Sequence, residues 1–296
     1  MRWLWIACLW GCRFRFDAVD ARGDDTAVAD MTDDAVVTVC HGTSWSTPVL
    51  IGELATASEE SRPEISRDGL TLYFSSNRAT SMGRAIWVAT RASTSVSFDP
   101  PTRIIELDDA ADDKDPAISA DGLTIYFTSD RGVPQNIYVA SRATLADPFV
   151  VQGVLAITGA PATPRAAPAL TGDELTMFYV DGIDLAVATR PTTSSPFAFD
   201  RLLTELNAPQ TDGDPTITAD GLELFFDSTR TGQAAVFRAT RADTSSAFSP
   251  PVEMPELVPP GSLSTGQPGI RADGRTLYMF GDTGQIDLYV ATRTCP

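Results

Sequence analysis

Histidine and lysine are almost missing from this chain: His41 and Lys114 are the only ones among 296 residues. His41 stands beside Cys40, so a Ser-His-Asp or Cys-His mechanism elsewhere in the molecule has no imidazole to use. With positive charge confined almost wholly to arginine, the formal net charge is −17 and the pI near 4.3. That balance excludes a nucleic-acid partner, whose phosphates would be repelled, and adsorption to an anionic lipid face. Long apolar runs are lacking too, and the N-terminal stretch Trp3–Trp10 is too short to span a bilayer. No stretch of the remaining chain keeps a 3.6-residue apolar period, so no helix longer than a turn is expected. Beyond Trp10 only Trp45 and Trp87 remain. Both occupy aromatic positions of the repeat described next, which makes them core rather than a sugar-stacking platform.

What the chain has in plenty is repetition. Pro63–Arg78 (PEISRDGLTLYFSSNR) returns as Pro116–Arg131, Pro168–Gly182, Pro215–Arg230 and Pro268–Asp282. In every copy an Asp follows the Pro by five residues, at 68, 121, 173, 220 and 273. A period near fifty residues means copies of one supersecondary unit stacked or set in a ring. The Asp-Gly pair between two β-rich runs reads as a tight hairpin with positive φ at both turn residues. Glu174 replaces the Gly in the third copy, so a different turn is expected there. A third strand in each copy is closed by an Arg (Arg91, Arg142, Arg190, Arg241, Arg293), with Phe98, Phe149, Phe197 and Phe248 seven residues after the first four. A fourth extended run follows. Four antiparallel strands per repeat describe a propeller blade, so the fold class is all-β, a five-bladed β-propeller.

These residues resemble the TolB-type propeller repeat, a relative of the WD repeat that reads P-x-Z-S-x-D-G-x-x-Z-x-F-x-S-x-R, with Z an apolar residue. The resemblance covers about residues 45–295. It implies a β-propeller whose P-x-Z-S strand lines the central channel, and it brings no catalytic residues with it.

The ring is expected to close through the chain ends. The fifth copy stops before its fourth strand, and Trp45 stands nine residues before Leu54, as Phe98 stands before Leu107. The N-terminal strand therefore completes the last blade and removes a free edge. Cys40 and Cys295 fall on the same repeat position, where the chain is elsewhere continuous, and a disulfide there would replace the missing peptide link. Read as zinc ligands, Cys40, His41 and Cys295 lack a fourth partner. Residues 1–11 read as a signal peptide, and Leu9-Trp10-Gly11-Cys12 resembles a bacterial lipobox with Cys12 as the lipidated residue. Residues 12–39, rich in Asp, read as an acidic disordered tether, and 40–296 as the propeller. This places the protein outside the cytoplasm, as a lipoprotein of the bacterial cell envelope (periplasm or outer membrane) touching the membrane by its anchor alone.

Acids that break the five-fold sameness mark the candidate site. Glu59, Glu60, Asp112, Asp113, Asp115, Asp212 and Asp214 lie in loops expected on one face, while the matching loops of copies three and five carry no acid. One side of the channel mouth should then bind a cationic protein or small ligand, with Ca²⁺ the one cofactor it could take. Two functions from different classes follow: a non-enzymatic binding scaffold, or a carbohydrate-active hydrolase using Glu64, Asp115 and Asp214 as channel carboxylates.

Overall fold

Strand order in every repeat follows from its turns. Ser66-Arg67-Asp68-Gly69 reverses the chain, with the Gly69 N–H donating to the Ser66 carbonyl at 2.8 Å. The Asp68 carboxylate accepts from the Ser66 hydroxyl at 2.6 Å and the Leu70 N–H at 2.9 Å, which fastens the turn. Only the last turn residue has positive φ: 77° at Gly69, 71° at Gly122 and Gly221, and 70° at Gly274. The two-residue hairpin expected from Asp-Gly is thus corrected to a four-residue turn. Glu174 takes the same conformation (φ 59°) and the same bond, its N–H reaching Thr171 at 2.9 Å, so the third turn is not of another type. Its carboxylate also accepts the Ala120 N–H of the neighbouring blade at 2.7 Å, a bond that glycine could not make.

The computed structural model describes residues 38–42, 44–78, 83–109 and 112–295. The signal segment, Cys12 and all of the tether but Thr38 and Val39 lie outside these residues. The described strands form five antiparallel blades. Blade 1 comprises Glu60–Ile65, Thr71–Ser76, Ala85–Thr90 and Thr102–Arg103. Blade 2 comprises Asp113–Ile118, Thr124–Ser129, Asn136–Ser141 and Val150–Val154. Blade 3 comprises Arg165–Leu170, Thr176–Asp181, Asp184–Thr189 and Phe197–Leu202, with Ile157–Thr158 added in parallel to its outer edge. Blade 4 comprises Asp212–Ile217, Glu223–Ser228, Ala235–Thr240 and Val252–Glu253. Blade 5 comprises Ser264–Ile270, Thr276–Asp282, Ile286–Thr292 and, from the other end of the chain, Val49–Leu50. A single 3₁₀ turn, Pro255–Leu257, is the one helical element among the described residues.

The core lies between blades rather than within them. Phe178 and Leu185 of blade 3 pack with Leu224 and Phe226 of blade 4, and four further clusters fill the other interfaces. Second strands are therefore buried on both faces and read as continuous apolar runs such as Leu72-Tyr73-Phe74. The strand-capping arginines tie each blade to the next. Arg91 lies 4.4 Å over Phe98, Arg142 over Phe149 and Arg190 over Phe197 at the same distance, and Arg241 4.6 Å over Phe248. Arg91 also donates to the Tyr278 hydroxyl of blade 5 at 3.2 Å, and Arg190 to Tyr126 of blade 2 at 3.4 Å.

At the seam the fifth such arginine, Arg293, lies 4.6 Å over Trp45. Val49 pairs with Val290 and Leu50 with Tyr289, and Cys40 and Cys295 are disulfide-bonded with Cα atoms 5.8 Å apart. The seam carries an acid of its own. Glu223, where the other copies have Thr71, Thr124, Thr176 and Thr276, is fully buried and accepts from Arg293 at 2.9 Å and from Arg238.

Candidate functional site: the mouth of the channel

The five innermost strands bulge at one position. Pairing with the second strand skips between Ser61 and Glu64, Lys114 and Ala117, Ala166 and Ala169, Gly213 and Thr216, and Gly266 and Gly269. The cause is the repeat's proline, which has no N–H to give the ladder. The residue before each proline takes positive φ: Arg62 54°, Asp115 52°, Ala167 50°, Asp214 44° and Gln267 51°. Each such residue costs about 1–3 kcal/mol of strain, which the surrounding ring must hold in place. Part of the support is a bond to the preceding blade. The Asp115 N–H donates to Ser75 Oγ at 3.3 Å, the Ala167 N–H to Thr128 Oγ1 at 2.9 Å, and the Gln267 N–H to Asp227 Oδ2 at 3.2 Å.

The bulge aims five side chains at the channel mouth, where they line a cavity of about 30 Å³. Arg62 sits at its centre. Its Nε contacts Asp115 and lies 3.5 Å from Asp214. Burial pulls the Arg62 pKa down, but Asp115 and Asp214 outweigh it and the net shift is upward. Asp214 is pushed up to about 6 by burial, with Arg62 opposing. Asp227, one strand behind, is pushed up to about 8 by burial and then by Asp214.

One layer deeper the equivalent residues are Glu64, Ala117, Ala169, Thr216 and Gly269. Four are small, and a Cβ built on Gly269 would stand 2.0 Å from the Pro63 carbonyl oxygen. Glu64 fills the space they leave. Burial raises its pKa to about 8 against a hydrogen bond from the Ile118 N–H. It separates the mouth from a second cavity of about 70 Å³ at the other end of the channel. Small-molecule pockets run roughly 300–1,000 Å³, so neither cavity admits more than a few waters.

The seven rim acids divide sharply. Glu60, Asp113 and Asp212 were expected on an exposed rim; all three are fully buried. Arg78 pairs with Glu60 at 2.9 Å, Arg131 with Asp113 at 2.6 Å, and Arg230 with Asp212. The same arginines donate to the Leu54, Leu107 and Leu206 carbonyls and so lock the loops entering the inner strands. Glu59 and Asp112 do stand on the rim, where Arg84 joins them and Lys114 lies 3.7 Å from Asp112. Asp115 and Asp214 converge on Arg62 in the mouth, whereas Glu64 lies below. The mouth is therefore less negative than its acids alone suggest. Among the described residues no three His, Cys, Asp or Glu side chains are grouped to hold a metal, and in the mouth it is Arg62 that stands between the carboxylates. His41 is at the seam, 2.8 Å from Asp220.

Sequence reading missed Arg62, Asp227 and Gln267. The signal for Asp227 was present: its equivalents in the other four copies are Ser75, Thr128, Val180 and Phe280, none of them an acid.

No protein-family model matches the chain, and no curated protein matches it in sequence. Solved structures do. An α-L-arabinofuranosidase from Podospora anserina matches at TM-score 0.60 and 11% identity, over 88% of this chain and 99% of that one. The catalytic domain of a GH62 α-L-arabinofuranosidase from Coprinopsis cinerea matches at TM-score 0.60 and 11% identity, over 85% and 98%. TolB from Acinetobacter baumannii matches at TM-score 0.48 and 16% identity, over 82% of this chain and 57% of that one. The likeness is one of fold. A five-bladed ring of this kind carries hydrolases, and identities this low transfer no activity.

Proposed function

We propose that this propeller is a non-enzymatic binding scaffold, held at a bacterial envelope by its N-terminal segment, with the Arg62 end of the channel as its recognition face. The observation that carries the reading is the filled channel. Asp115 and Asp214 are engaged by Arg62, and cavities of about 30 and 70 Å³ leave no room for a glycosyl unit beside them. Loops on a rigid ring are where such folds place recognition, and here the loops of blades 1 and 2 differ in charge from those of blades 3 and 5.

A hydrolase remains the second reading, favoured by one observation: Glu64, Asp214 and Asp227 are part-buried acids whose pKa values desolvation raises to about 8, 6 and 8. Two measurements separate the readings. The purified chain is assayed on aryl arabinofuranosides, aryl xylosides and arabinoxylan, and turnover no higher than that of Asp214→Asn is expected. Turnover abolished by Asp214→Asn or Asp227→Asn would establish the hydrolase. In parallel, immobilised wild type and the Glu59→Gln/Asp112→Asn variant are cross-linked to an envelope extract. A specific partner, captured roughly tenfold less by the variant, is expected for a charged rim contact. Equal capture by both would remove the rim from the recognition face.

A further inference from the structure

We propose that Asp115 and Asp214 form a receptor for a guanidinium or primary ammonium group of a ligand, and that the chain's own Arg62 fills it in the free state. The inference deepens the binding reading above and rests on it. Of the five equivalent mouth positions, two carry carboxylates, one a guanidinium, one an amide and one only a methyl group. The methyl group is Ala167, set in the ring between Asp115 and Asp214, and it leaves the space between them open for a third party. That space takes a guanidinium, because Arg62 already makes the fit, contacting Asp115 and lying 3.5 Å from Asp214.

A second observation points to a ligand. Gln267 lines the same cavity, and its side-chain oxygen is buried with no hydrogen-bond partner. Leaving such an acceptor unmet costs about 1–3 kcal/mol, and Arg62 does not meet it. A ligand cation with its own set of N–H donors can reach both the carboxylates and this oxygen. The cavity itself is about 30 Å³, so a ligand gains the carboxylates by exchanging with Arg62 rather than by adding to it. Exchange needs only side-chain rotation: the Arg62 side chain is 19% exposed at the mouth, and like charge replaces like. The exchange is then nearly neutral electrostatically, and the partner's other contacts with the rim supply the net affinity.

The test is chemical complementation on the full chain, by calorimetry and thermal unfolding. Methylguanidinium is the probe and N-methylurea its uncharged counterpart. Arg62→Ala is expected to bind methylguanidinium roughly tenfold more tightly than wild type does and to melt higher in its presence. N-methylurea should do neither, and adding Asp115→Asn and Asp214→Asn to Arg62→Ala should abolish the gain. If Arg62→Ala does not fold unaided, folding restored by methylguanidinium and not by N-methylurea supports the site, and restoration by neither overturns it. Binding no tighter than wild type, binding retained in the triple variant, or equal binding of N-methylurea also overturns it. If the site fails while the Glu59→Gln/Asp112→Asn variant still loses its partner, the binding reading stands without the channel receptor.

Discussion

Asp227 shows how one side chain constrains its neighbours. Its carboxyl lies against the backbone of two inner-strand residues: a Cβ on Gly266 would come within 2.5 Å of Oδ2 and 2.8 Å of the Phe280 ring, and a Cβ on Gly213 within 3.0 Å of Oδ1. Gly266→Ala should therefore cost about 1–3 kcal/mol, the range for overpacking a filled core. Part of that cost should return in Gly266→Ala/Asp227→Ser, because serine serves at the equivalent position 75; urea unfolding of the wild type, the two single variants and the double variant checks it. The part-buried acids of the channel also predict a direction for pH. Glu64, Asp214 and Asp227 have folded pKa values raised to about 8, 6 and 8. A raised folded pKa means the native state holds the proton more tightly, so its stabilisation is complete below the unfolded pKa and is lost as pH rises through the folded one. Each group should lower stability by up to about 1.4 kcal/mol per pH unit across that window. Unfolding free energy should thus fall from about pH 4.5 to 8 through these groups. Glu64→Gln, which keeps the neutral form at every pH, should reduce the slope and be more stable than wild type at pH 9.

Among the elements, the loop entering an inner strand and the one joining the second and third strands owe their shape to a buried ion pair in blades 1, 2 and 4. Arg131 illustrates the device: it pairs with Asp113, donates to the Leu107 carbonyl, and lies 5.3 Å over Phe127 and 5.1 Å over Tyr138. Removing one partner leaves the other charged and dry, so Asp113→Ala should cost about 3–5 kcal/mol. Asp112→Asn, one residue earlier on the part-buried rim, keeps an oxygen to accept the Arg84 N–H and loses only its ion pairs, so it should cost no more than about 1 kcal/mol. Parallel denaturant melts of the two variants test this division, and equal losses would contradict it. Blades 3 and 5 have Gly182 and Asp282 near this point instead of the Ser-x-Arg ending, and the device is absent there.

The molecule as a whole depends on closing the ring. Covalent closure by Cys40–Cys295 spans 255 residues, and in the chain-entropy account it stabilises by up to about 5.5 kcal/mol. Noncovalent closure is also extensive: Arg293 donates to the Gly42 carbonyl at 2.7 Å and to Glu223 at 2.9 Å, and lies over Trp45. Reduction should therefore lower the melting temperature while leaving the β-sheet circular dichroism intact at 25 °C. Arg293→Met in the reduced protein should then unfold it, or drop its midpoint far below that of either change alone. A reduced wild type that is already unfolded at 25 °C would show that the disulfide alone holds the seam.

The repeat spacing determined by itself that there are five blades, that Trp45 belongs to the last of them, and that Cys40 meets Cys295. Each of these rests on a distance along the chain, counted against other copies of the repeat. The buried partners of Arg78, Arg131 and Arg230 were half legible: an arginine repeated by symmetry announces structure, but nothing local says that Glu60, Asp113 and Asp212 point inward while Glu59 and Asp112 do not. Strand alternation separates those neighbours only once the register is known. The mouth was the least legible part. Arg62, Asp115, Asp214 and Gln267 come from four blades, and nothing in any one segment says that they meet. Closure of the ring makes them neighbours, and the proline-imposed bulge turns them toward the axis. Their exclusion from water by the surrounding blades is what moves the pKa values of Asp214 and Asp227, because desolvation is a property of the assembled fold and not of the segment that carries the acid.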